Sequence, residues 1–202
     1  KAFANDQDLR EKAHLIIVVR GVQDVYNGVE SLKDTERKIV KEWLYFIKEN
    51  KLKNHISFFN AENQKDLAAL YRSARENRSV FCNPALYEPF GLTVIEAMSC
   101  GLPVAATRNG GPSEILRENG FKYGFLFDPE DVKSIIDTLK KSLMGEKEYK
   151  KYSELSVTRV LEKYTWKKTA EDYLREIKAK IADYKPKDID LSSFFKALQN
   201  HS

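Results

Sequence analysis

The chain has 202 residues, 42% of them hydrophobic, with 34 Lys and Arg against 30 Asp and Glu for a net charge of +4. That size and composition suit one large domain, able to bury a core without a disulfide or metal staple. The two charge signs are mixed along the chain, which argues against a nucleic-acid patch, and no run of about 18 apolar residues exists to span a membrane.

Cys82 and Cys100 have neither CxxC spacing nor a nearby His set, so they read as small buried apolar residues of a reducing compartment. No leader peptide is evident, and a cytoplasmic setting is expected. His14, His55 and His201 are scattered and read as surface or strand-edge residues.

Taken in order, His14–Arg20 (HLIIVVR) reads as a buried strand. A helix is expected from Leu32 to Asn50, with Ile39, Val40, Trp43, Phe46 and Ile47 on one face. Ile56–Phe59 is a second strand and Asp66–Arg75 a second helix. Ser79–Asn83 is a third strand, followed by a helix at Thr93–Ser99. Val104–Thr107 is a fourth strand, Pro112–Glu118 a short helix, and Gly124–Phe127 a fifth strand. Helices then follow at Asp131–Met144, Lys147–Lys163 and Trp166–Asp183. The fold class is α/β, a Rossmann-like parallel sheet with helices on both faces. The domain is expected over residues 1–184, with a tail at 185–202 of docking or frayed character.

Ligands on such sheets bind beyond the carboxyl ends of the strands. The loops to inspect are therefore Arg20-Gly21, Asn60–Gln64, Pro84–Thr93, Arg108–Gly111 and Asp128-Pro129. The most informative is PALYEPFGLTVIEAMSCGLP, from Pro84 to Pro103. It leaves a strand, turns at Pro89-Phe90-Gly91 and enters a helix. Gly91 permits close backbone approach, and a helix N-terminus presents free N–H groups and partial positive charge to a diphosphate. Leu92 and Thr93 supply those amides. Glu96, one turn along, can accept from a ribose diol, and Glu88, before the turn, from sugar hydroxyls. Spacing alone equally allows two solvated glutamates around an ordinary turn. Gly91→Val is expected to abolish diphosphate binding and leave the fold largely intact. A dinucleotide-dependent dehydrogenase wants G-x-G-x-x-G after a strand, and RGVQDVYNG does not supply it. No Asp-x-Asp pair sits in a strand-end loop, so no essential metal and no cofactor are expected.

PALYEPFGLTVIEAMSCGLP followed by RNGGPSEIL resembles the signature of the retaining GT-B glycosyltransferases that include sucrose synthase and sucrose-phosphate synthase. The likeness extends more loosely from Leu15 to about Ile177, and KYTWKKTAEDYL resembles the family's closing helix. NPALYEPFGL, ATRNGGPSEIL and YTWKKTA are closer to bacterial sucrose-phosphate synthases, or to the similar mannosylfructose-phosphate synthases, than to sucrose synthases.

The resemblance implies that Glu96 binds ribose, and that Glu88 with the backbone of Phe90 and Gly91 holds the donor hexose as the catalytic element. Leu92 and Thr93 would hold the diphosphate. Asn60, Ala61 and Gln64, with Leu67 behind them, would form the nucleobase pocket. Gly21, Gly110 and Gly111 would shape the cleft, although ordinary turns explain them as well. The donor implied is UDP-glucose and the acceptor a sugar phosphate, fructose 6-phosphate. Members of the group carry an Arg and a Lys just before the point where Lys1-Ala2-Phe3 falls. That basic pair, the first strand and the acceptor-binding N-terminal domain are thus expected to lie outside the chain, which resembles about the last two-fifths of such an enzyme. A UDP-binding module without turnover is the alternative for this stretch alone.

Overall fold

The computed structural model describes residues 1–182, so the expected tail at 185–202 and His201 lie outside the described residues. The chain divides into two compact units, Lys1–Tyr164 and the segment beginning at Thr165.

The first unit opens with two short helices, α1 (Ala2–Asn5) and α2 (Gln7–Lys12), followed by β1 (Leu15–Val19). Then come α3 (Val25–Gly28), a 3-10 turn, α4 (Asp34–Glu49), β2 (Ile56–Asn60), α5 (Gln64–Glu76) and β3 (Phe81–Asn83). Next are α6 (Leu92–Ser99), β4 (Val104–Thr107) and α7 (Gly111–Ile115). β5 (Arg117–Glu118), β6 (Phe121–Lys122), β7 (Phe125–Phe127), α8 (Val132–Ser142) and α9 (Glu146–Lys163) complete it. The second unit contains α10 (Trp166–Ala182), whose start is tied by Lys168 N–H donating to Thr165 Oγ1 at 3.1 Å.

All five expected strands form, and all pair in parallel, but not as one continuous sheet, and β1 is not the buried strand expected, since Ile16 and Val18 are exposed and its other residues only partly buried. β1 pairs with β2, and β3–β4–β7 form a separate three-stranded sheet. Among the described residues β1 and β3 are each hydrogen-bonded to a strand on one edge only. β4 explains why the second sheet reads as a continuous apolar run. All four of its residues are buried, with Val104 and Ala106 facing the α6 side and Ala105 and Thr107 covered from the other. α6 packs on β3 and β4, while α8 packs on β4 and β7.

Two further readings are corrected. The expected helix Pro112–Glu118 stops at Ile115, and its last residues form an antiparallel hairpin of β5 with β6. Asn119 and Gly120 at its tip have φ of 49° and 84°, the left-handed pair that an Asn-Gly hairpin turn requires. On α4, Val40 and Ile47 are buried, but Ile39 and Trp43 are exposed. The two cysteines are unpaired and only partly buried. His14 sits at a strand start, its Nε2 2.8 Å from Ser57 Oγ.

Three apolar clusters hold the unit together. The largest joins Tyr71 of α5, Val94, Ala97 and Met98 of α6, Val104 and Ala106 of β4, Ile115, Leu116 and Val160 of α9. Two smaller ones lie on the β1–β2 side, around Val22, Val25, Leu32 and Val40, and around Ile47, Leu52 and Ile56. Polar ties fix the periphery. Lys140 on α8 reaches Asp6 at 2.7 Å and Asp8 at 3.4 Å, anchoring α2. Tyr149 Oη on α9 donates to Ser79 O at 2.9 Å, and burial pushes its pKa up to about 12. Met98 has no exposed surface at all, so Met98→Ala removes contacts from the centre of the largest cluster. The expected cost is about 2–5 kcal/mol by chemical denaturation with an unchanged m-value.

Candidate functional site

β3 ends at Asn83, and eight residues of loop carry the chain to α6. Glu88 organises that loop. Its Oε1 accepts the Gly91 N–H at 3.0 Å, and its Oε2 accepts from Asn83 Nδ2 at 3.3 Å. The carboxylate thereby closes the Pro89-Phe90 turn on itself. Gly91 then enters α6 with φ of 79°, a left-handed geometry that favours glycine. A Cβ built there would lie 2.6 Å from Ile115 Cδ1, and Gly91 is buried. Replacing it with valine therefore disturbs the core as well as the turn, which corrects the expectation of an intact fold. The Gly91 N–H is also committed to Glu88 rather than free for a ligand.

The amides left over are those of the first turn. Helix geometry gives Leu92 and Thr93 no carbonyl four residues back inside α6. Among the described residues neither N–H has another acceptor, and both residues are exposed. Thr93 Oγ1 accepts from Asn83 Nδ2 at 3.2 Å, which leaves its hydroxyl proton to donate outward. Phe90, 77% exposed, stands beside this N-terminus together with exposed Leu86 and Tyr87.

Backbone pairing brings the loop after β4 against the turn. Glu88 N–H donates to Asn109 O at 3.2 Å, and Gly111 N–H donates to Glu88 O at 2.9 Å. Asn109 Nδ2 donates to Leu86 O at 2.8 Å. The approach leaves no room for side chains. A Cβ at Gly110 would fall 2.2 Å from Glu88 O, and one at Gly111 would fall 2.5 Å from Phe90 O. Arg108 Nη2, 2.6 Å from Asp128 Oδ2, extends the same wall to the loop after β7.

A second group lies at the ends of β1 and β2. Gly21 N–H donates to Asn60 Oδ1 at 3.1 Å, and Gln23 Nε2 donates to Glu62 Oε1 at 2.9 Å. Together with Arg20 and Val22 they line an open basin of about 300 Å³. The loop 60–64 spends most of its own donors internally. Ala61 N–H goes to Val19 O, the N–H groups of Glu62 and Asn63 go to Asp66 Oδ2, and those of Lys65 and Asp66 go to Asn63 Oδ1. Gln64 N–H, at the start of α5, has no acceptor among the described residues. Ala61 is 1% exposed and presents almost no surface, and Leu67, partly buried, packs against the large core.

Glu96 lies half-buried on α6 and bears on Tyr71 of α5. Burial first, and the Glu96 charge second, push the Tyr71 phenol up to about 12. The two loop groups thus share one core, since α6 carries the first and α5 the second, with Tyr71 in the cluster that holds Val94 and Met98 and Leu67 packed against it. Among the described residues no hydrogen bond joins them directly.

Two residues escaped sequence reading. Asn83 orients both Glu88 and Thr93, and its signal was only a polar side chain at the end of a strand, immediately before the motif. Arg159 is 3% exposed and sits beneath α7, where nothing local announces it. Among the described residues no group of three or more His, Cys, Asp or Glu could hold a metal ion, and no helix is long and apolar enough to cross a membrane.

Residues 1–156 match the family model described as glycosyl transferases group 1. The chain belongs to this family. It is 41% identical over 169 residues to a probable sucrose-phosphate synthase of Thermosipho melanesiensis, covering 84% of this chain and 35% of that protein. It is 33% identical over 177 residues to sucrose-phosphate synthase 4 of Arabidopsis thaliana, covering 88% of this chain and 16% of that one. The glycosyltransferase chain thus spans only a minor part of the curated relatives it matches. Its fold is that of a sucrose-phosphate synthase from Thermosynechococcus elongatus, with TM-score 0.62 at 22% identity over 91% of this chain and 50% of the other. It is also that of Anabaena Alr3699/HepE, crystallised in complex with UDP, with TM-score 0.69 at 18% identity over 88% of this chain and 43% of the other.

The Gly91 amide, together with the Asn83 amide and the Phe90 backbone, holds the Glu88 carboxyl below its usual range against the opposing effect of desolvation. A lowered folded pKa means that the bonded carboxylate contributes stability above the ordinary value near about 4.3, and that the contribution disappears as pH falls through the lowered value. Glu88→Gln is therefore expected to be less stable than the parent at neutral pH, with the gap closing below about pH 4. Denaturation midpoints across pH measure it. Gly110→Ala is expected to destabilise by about 1–3 kcal/mol through overpacking against Glu88 O.

Proposed function

We propose that the chain is the donor-binding part of a retaining glycosyltransferase that transfers glucose from UDP-glucose to fructose 6-phosphate, giving sucrose 6-phosphate. The observation that carries this reading is the free first-turn amides of Leu92 and Thr93, set between the Glu88 carboxylate on one side and Glu96 on the other. A diphosphate on those amides would leave a hexose toward Glu88, Phe90 and Gly91, and a ribose toward Glu96. The base would then lie over the loop from Asn60 to Gln64. That loop offers carbonyls and the Gln64 N–H, which suit a uracil with its one imide donor and two carbonyls.

In this reading Glu88 orients the sugar and does not attack it. Its carboxylate oxygens already accept from Gly91 and Asn83, and each keeps a lone pair for a sugar hydroxyl. The bond to the UDP oxygen breaks through an oxocarbenium-like state, and the acceptor attacks from the same face. The chain contributes positioning and stabilises charge on the leaving diphosphate through the α6 N-terminus. Neither a metal nor a cofactor takes part. The sugar-phosphate acceptor would be held by a domain outside this chain, in a cytoplasmic enzyme without nucleic-acid or membrane partners.

The sucrose-phosphate synthase names of the relatives favour this acceptor. Sucrose synthase and mannosylfructose-phosphate synthase chemistry would use the same donor-side residues. A UDP-binding module without turnover is the reading for these 202 residues taken alone.

Calorimetric titration with UDP, UDP-glucose, ADP-glucose, GDP-mannose and NAD tests the proposal. Binding of UDP and UDP-glucose, unaltered by EDTA, is expected. Preference for another nucleotide sugar would overturn the UDP-glucose assignment. Glu96→Ala is expected to weaken UDP binding by about 1.5–3 kcal/mol through the loss of charge-assisted hydrogen bonds. Unchanged affinity would remove Glu96 from the site.

A further inference from the structure

Arg159 projects from α9 into the interior, almost fully buried. Its Nε donates to Ile115 O at 3.1 Å and its Nη2 to Glu114 O at 3.0 Å, the final carbonyls of α7. Its Nη1 bonds Glu118 Oε2 at 2.6 Å, and its guanidinium lies 4.7 Å from the Tyr123 ring centroid and 5.4 Å from that of Tyr164. A planar fork with this many fixed partners has one orientation.

α7 is only five residues long, so both its ends are set from outside. Arg159 holds the C-terminal end. At the other end Gly111 N–H donates to Glu88 O, and neither Gly110 nor Gly111 leaves space for a Cβ against the Glu88–Phe90 backbone. α7 is therefore a strut between a buried cation and the turn that carries Glu88.

We infer that Arg159 is a positioning residue for the hexose side of the candidate site, acting through α7 on Gly110, Gly111 and Glu88. This rests on the proposed UDP-sugar reading for its ligand. The amides of Leu92 and Thr93 and the Glu96 carboxylate belong to α6, on which α9 packs through Val160 but to which Arg159 makes no hydrogen bond among the described residues. Its removal should accordingly loosen sugar recognition while leaving the nucleotide hold in place.

The test compares the parent chain with Arg159→Lys, Arg159→Met and a control, Ile47→Ala, whose side chain is buried in a separate cluster. Amide hydrogen exchange at Gly91 and Gly111 is read first, since it needs no ligand. Exchange at these two amides is expected to rise at least about ten-fold in Arg159→Met relative to the control at matched global stability, with Arg159→Lys between them. UDP and UDP-glucose titrations follow. The affinity of Arg159→Met for UDP-glucose is expected to fall about ten-fold or more with that for UDP within about two-fold, since misplacement of a site by about 1 Å costs as much as 100-fold. Equal exchange in Arg159→Met and Ile47→Ala, or a parallel loss of UDP and UDP-glucose binding, would reduce Arg159 to a structural residue and overturn the inference. A parent chain that binds neither ligand would overturn the donor-site reading instead, while the exchange result would still decide whether Arg159 sets the turn.

Discussion

The capture of the Gly91 N–H by the Glu88 carboxylate is the contact on which the candidate site depends. It closes a loop of eight residues into a turn, sets Gly91 in the left-handed geometry that starts α6, and thereby aims the next two amides outward. A carboxylate accepting a backbone N–H is a charge-assisted bond, stronger than its neutral counterpart. Leu92 and Thr93 are free because they open the helix, and the bond removes only the Gly91 donor from that first turn.

The same carboxylate explains how a site at a surface loop can be held rigidly. Glu88 contributes its side chain to Gly91 and Asn83, its N–H to Asn109 and its carbonyl to Gly111. Its neighbours across the cleft wall are glycines, since a Cβ at either position would collide with backbone rather than with a movable side-chain end. Backbone-to-backbone approach of this kind tolerates little drift, and pre-organisation of that sort reduces the ordering cost of holding a ligand.

Family membership and site geometry bear on different parts of the functional reading. The family model covers residues 1–156, which contain every candidate site residue and Asn83. The geometry supplies what a family name does not. It commits the Gly91 amide internally, ties the Glu62 and Asn63 N–H groups of the loop 60–64 to the Asp66 side chain, and packs Leu67 against the core behind it. This chain matches a minor share of the length of the curated relatives.

The five strands, most helices and the Pro84–Pro103 motif were legible in the sequence because each rests on local chemistry. Continuous apolar runs mark the strands, although β1 leaves Ile16 and Val18 exposed, Asp131 and Asn63 cap the helices that follow them, and Gly91 marks a left-handed turn within a few residues of the groups it serves. The hairpin at Asn119-Gly120 reads in the sequence as the end of a longer helix, although that dipeptide is a turn signal. What the tertiary structure alone decided depends on residues far apart in the chain. Arg159 reaches carbonyls 44 and 45 positions away, Gly21 meets Asn60 across 39, and Asn109 meets Leu86 across 23. The separation of β1–β2 from β3–β4–β7 is of the same kind, because edge pairing is a relation between strands and leaves no mark on either one. Periodicity reports which face of an element is apolar, whereas only packing determines which partner covers it.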